Sequence, residues 1–212
     1  MGHVLARLTG FGLVLIPIWP YTFQRSSRTP GTVTVTRWEG QTAHTATVTG
    51  PADAPSINLT GAQAVDEVVD ILPGPTEPLW RIETSLYLVE WPEGFTIDSP
   101  PANDATSPFY LRGPEDALIY IQGPYPPDQI PPLNETAAPG QQVIDHQHGP
   151  DFEVVELTYQ HEGVDWHQTH HLVPLNDTLA VIVTTQSPAT QAPQTRLAAT
   201  SMGRSVITRP SN

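Results

Sequence analysis

Short runs in which every second residue is apolar fill most of the chain, and proline or glycine stops each run before it grows long. "TVTVTRWEGQTAHTATVTG" shows this most plainly: Val33 and Val35 alternate with threonines, Glu39-Gly40 supplies a turn, and Ala46 and Val48 continue on the return. Period-two placement of β-branched residues around a turn dipeptide predicts an antiparallel hairpin. "SINLT" adds a short strand. Thr60 and Gln63 then form a capping-box pattern, and Val65, Val68, Val69 and Leu72 recur at helical spacing before Pro73, which predicts a helix over residues 60–72. Strand-like runs follow: "LWRIETSLYLVEW", "GFTID", "PFYLR", "ALIYIQ", "FEVVELTYQH", "VDWHQTHHLV" and "TLAVIVTTQ". Most connections between them are too short for a helical crossover, so antiparallel pairing is expected. "QAPQTRLAATSMGRSVI" predicts a closing helix entered near Thr190, with Pro193 tolerated in its first turn.

Two segments break this rhythm. In "MGHVLARLTGFGLVLIPIW" an apolar run follows Arg7, as in an export signal, yet no small-residue cleavage site appears in the continuation "PYTFQRSSRTP". Pro17 inside the run and Arg25 and Arg28 beyond it suit a spanning helix poorly. Residues 1–29 therefore read as an apolar segment, a buried strand in preference to an anchor, ahead of a single domain over 30–212. Membrane association through this segment, export and a cytoplasmic location are all compatible with it. Residues 123–150, "GPYPPDQIPPLNETAAPGQQVIDHQHGP", hold seven prolines and no period. Loops of that length in compact domains are functional or disordered.

Composition narrows the chemistry. The 212 residues suit one domain with a core of its own. No cysteine is present, which removes disulfides, iron–sulfur clusters, thiolate zinc sites and cysteine nucleophiles. All nine basic residues are arginine, so Schiff-base lysines and the phosphate-binding lysine of a P-loop are absent too. A formal charge of −13 and arginines scattered from Arg7 to Arg209 argue against nucleic acid as a partner. Lysine absence beside abundant proline, alanine and threonine reads as the coding bias of a GC-rich bacterial genome.

From Trp80 onward, "EWPEGFTID", "SPFYLRGPEDALIYIQGP", the long excursion, "VVELTYQHEGVDWHQTHHLV", "AVIVTTQSP" and a closing helix resemble the PsbP-like family over roughly residues 80–208. The resemblance implies an α+β sandwich: a predominantly antiparallel β-sheet flanked by a few helices, here with an N-terminal β-rich addition over residues 30–75. It implies binding and assembly, as in small exported proteins or accessory subunits, and supplies no catalytic residues. Members usually carry a helix where this chain has its proline-rich excursion.

The remaining chemistry lies in the histidines. A hairpin turning at Glu162-Gly163 pairs Tyr159 with Trp166, Leu157 with Gln168 and Val155 with His170. One face then carries Val155, Leu157, Tyr159, Trp166, His170 and Leu172; the other, expected to be exposed, carries Glu156, Thr158, Asp165, His167, Thr169 and His171. On a strand His167 and His171 stand about 13 Å apart, too far to share a metal unaided. A divalent ion such as zinc would need a composite site from His146, His148, His167 and Glu156. "HEGVD" lacks the second histidine of a zincin helix, and "GRSVI" lacks the second glycine of a nucleophile elbow. With no catalytic motif and no required cofactor, the chain reads first as a non-enzymatic binding or accessory module that engages a protein partner through a sheet face or the proline-rich loop. A metal-dependent hydrolase and a structural subunit of a larger assembly are the alternatives.

Overall fold

The computed structural model describes residues 4–11, 13–29, 32–39, 41–50, 54, 56–60, 69–73, 79–104, 107–149 and 152–208. The strands are β1 (Leu5–Gly10), β2 (Leu13–Pro17), β3 (Thr22–Thr29), β4 (Thr32–Glu39), β5 (Thr42–Thr49), β6 (Ser56–Thr60), β7 (Val69–Pro73), β8 (Arg81–Thr84) and β9 (Tyr87–Glu90). They continue as β10 (Thr96–Asp98), β11 (Tyr110–Arg112), β12 (Leu118–Tyr125), β13 (Gln142–Gly149), β14 (Phe152–His161), β15 (Val164–Asn176) and β16 (Leu179–Pro188); helix α1 (Ala192–Ser205) and β17 (Ile207–Thr208) close the chain. Among the described residues α1 is the only α-helix, so the architecture is mostly antiparallel β-sheet.

Among the described residues six strands form one sheet in the order β17-β9-β8-β1-β2-β7, and eleven form the other in the order β13-β14-β15-β16-β12-β11-β10-β3-β4-β5-β6. Their side chains meet in one core: Leu8, Leu13 and Ile82 from the smaller sheet join Phe23, Ile97, Leu111, Ile119 and Val183 from the larger, with Ala199 and Met202 from α1. The apolar N-terminal run thus enters the core as two strands, turning at Phe11, which takes φ 48°. Glycine is needed just before that turn. A Cβ on Gly10 would lie 2.6 Å from the Trp80 ring.

The helix expected over residues 60–72 does not extend through its second half. Val69–Pro73 is β7, paired with β2 so that Leu72 lies opposite Val14; residues 61–68 lie outside the described residues. The open side of β2 presents unpaired backbone groups, and ladder pairing there outweighs a local period of four valines and leucines.

Through residue 149 the proline-rich excursion has defined secondary structure. Short 3-10 turns at Pro127–Gln129 and Leu133–Glu135 carry it across the larger sheet, where Leu133 is fully buried. Ile130 and Ala137 pack beside it against Val155, Leu157, Leu172 and Ile182. The last part of the excursion is β13, at the edge of the sheet.

Candidate functional site

The strongest local signals lie in the long hairpin of β14 and β15. Glu162 and Gly163 both take positive φ, 51° and 80°, as a two-residue type I′ turn requires. The resulting register is the expected one: Tyr159 opposite Trp166, Leu157 opposite Gln168, and Val155 opposite His170. Tyr159 and Trp166 stack with ring centroids 6.2 Å apart.

The two faces are used differently from the expectation. The apolar face lies under the proline-rich segment, as its composition requires. The polar face, expected to be exposed, is largely covered: His167 and Thr169 are buried because α1 and the Ala189–Gln191 turn before it pack on β15 and β16. Polar side chains there satisfy one another. The His167 ring donates from Nε2 to Glu156 Oε2 at 3.0 Å, and Arg196 of α1 donates to both Glu156 oxygens at 2.9 Å. His171 Nε2 shares a hydrogen bond of 3.1 Å with Thr169 Oγ1, which in turn lies 2.7 Å from Thr185 Oγ1. Burial pushes the His171 ring down to about 4, against the pull of Glu156 and with further lowering from His170 and Arg196.

His170 is a core histidine on the opposite face. Gln168 Nε2 donates to its Nε2 at 2.9 Å, which leaves Nδ1 to donate to Thr184 Oγ1 at 3.0 Å. Burial lowers its pKa as well, in keeping with a neutral ring. Gln141 Nε2 donates to Gln168 Oε1 at 2.9 Å, so the proline-rich segment is tied to this chain of hydrogen bonds.

The four residues of the composite metal site separate into two groups. His167 and Glu156 come together beneath α1. His146 lies opposite Val155, and His148 opposite Glu153, so both stand on the other face of the sheet, where His146 Nε2 donates to Glu153 Oε1 at 3.0 Å. Glu153 also accepts from the Leu133 backbone N–H at 3.2 Å and anchors the proline-rich segment. Among the described residues no group of three or more His, Asp or Glu side chains converges to hold an ion. Arg196 is the site residue that sequence reasoning missed. Its place on a helix was readable, but its contact with Glu156, 40 residues earlier, depends on how α1 crosses the sheet.

Two open surfaces flank this region. Among the described residues strand β13 pairs with β14 alone, and it is exposed along almost its whole length; Val143 and Ile144 are 42 % and 55 % exposed, and a bulge falls between Val143 and Asp145. On the polar face, α1 covers only part of the sheet and leaves a groove of ≈ 790 Å³ against β14 and β15. Among the described residues no helix is long and apolar enough to cross a membrane. No family model matches the chain, and no curated protein matches it.

Proposed function

We propose that this protein is a non-enzymatic binding or accessory module that engages a protein partner at the free edge of β13, within the proline-rich excursion. The observation that carries this reading is an eight-residue edge strand, paired among the described residues on one side only, with two exposed apolar side chains at its start. Unpaired N–H and C=O groups on such an edge accept an added strand, and the flanking side chains select it. Both carboxylates of β14 nearby are engaged in structural pairs: Glu156 with His167 and Arg196, Glu153 with His146 and the Leu133 amide. We also read the sandwich as PsbP-like, on the order of strands from Trp80 onward and the closing helix; accessory and assembly roles in that family agree with a binding edge.

The test substitutes Val143→Lys and Ile144→Lys together. Both side chains are exposed, so the fold should be retained, while charge on an edge strand opposes pairing. The wild type is expected to capture a defined partner from the native host's extract, and the double variant to lose it at least tenfold. Equal capture by both would contradict the proposal. Self-association of the wild type that the same pair abolishes would favour a structural subunit built from copies of this chain.

A further inference from the structure

The groove beside α1 differs in charge from the rest of the chain. Its ionisable lining consists of Glu156, Arg196, Arg204 and His171, and His171 is neutral at pH 7. One carboxylate against two guanidiniums leaves the groove positive on a chain whose formal charge is −13. Arg196 is engaged by both oxygens of Glu156. Arg204 makes no ion pair with any described residue and is exposed, at the boundary between this groove and a smaller cleft lined by Glu90. The rest of the lining is mainly apolar: Val154, Val173 and Pro193, with Phe152 and Leu197 47 % and 74 % exposed.

Leaving a phenylalanine and a leucine in water on opposite walls of one groove is unfavourable, and an apolar occupant removes both from solvent. The volume, ≈ 790 Å³, falls in the range of about 300–1,000 Å³ usual for small-molecule sites. A cation at the margin of an apolar groove matches a ligand with one anionic end. We infer that this groove binds an alkyl carboxylate, its chain lying between Phe152, Val154 and Leu197 and its carboxylate on Arg204. Guanidinium holds a carboxylate through two parallel hydrogen bonds, which fixes the orientation of the chain. The inference does not depend on a partner at β13.

Calorimetric titration of the full chain with decanoate, octanoate and decanol, all below their aggregation or solubility limits, tests this directly. Decanoate should bind saturably at one site, octanoate about tenfold more weakly for its two missing methylenes, and the uncharged decanol at least tenfold more weakly than decanoate. Arg204→Glu and Leu197→Asp change exposed positions, so their thermal unfolding should match the wild type, while each lowers decanoate affinity at least tenfold. Equal binding of decanol and decanoate, or full affinity in Arg204→Glu, would overturn the inference and leave a nonspecific apolar surface. Absence of saturable decanoate binding would overturn it as well and leave the groove to a macromolecular occupant.

Discussion

Glu156 joins three elements at once: it sits on β14, accepts from His167 on β15, and receives both hydrogen bonds of Arg196 from α1. The worth of the two partners differs. His167 is buried, so removing its carboxylate leaves a polar ring without compensation; Glu156→Ala should cost about 1–3 kcal/mol in urea unfolding. Arg196 is close to half exposed and its charge is screened, so Arg196→Ala should cost less than about 1 kcal/mol. A reversed order of the two would contradict this assignment. The sequence marks Glu156 and His167 as neighbours through hairpin register, but nothing local to either points to an arginine 40 positions away. His171 carries a pH dependence. Its folded value of about 4 lies below the ordinary 6.5, so the unfolded chain takes up a proton first as pH falls. The stabilisation is complete above about pH 6.5 and is lost on the way down to about pH 4, by up to about 3 kcal/mol. His171→Asn should show a smaller loss of stability between pH 7 and 4.5 than the wild type; an equal loss would show that the ring is not the group responsible.

At the scale of elements, legibility followed from whether a segment has one buried face. The β14–β15 hairpin was readable to the residue because apolar alternation and a two-residue turn agree on one register. Gly163 at φ 80° carries part of that agreement, and Gly163→Val should destabilise by about 1–3 kcal/mol through strain in the turn. An unchanged denaturation midpoint would mean that the turn does not set the register. Strand β13 was invisible because both its faces are exposed, so no alternation is imposed on its sequence. The segment before it was equally silent, since the one fully buried side chain, Leu133, has no periodic companions. That residue should nevertheless hold the segment down. Leu133→Ala is expected to cost about 2–5 kcal/mol and to speed proteolysis within residues 126–141. Slow cleavage unchanged from the wild type would contradict the packing.

For the whole molecule, the antiparallel character was legible and the division into two sheets was not. Residues 30–75 read as an addition without a place, yet β4, β5 and β6 extend the same sheet that holds the long hairpin, because β3 pairs with β10. Such long-range pairings leave no trace in local pattern. Among the described residues the resulting eleven-stranded sheet ends in β6 on one side and β13 on the other, and β13 is the longer of the two. Its free edge is where a partner is proposed to add. Hydrogen–deuterium exchange on the isolated complex, compared with the free protein, reads that edge directly. Exchange across residues 142–149 should slow at least tenfold in the complex, as edge amides gain a strand; unchanged exchange there, in a complex that is demonstrably formed, would contradict the proposed mode of binding.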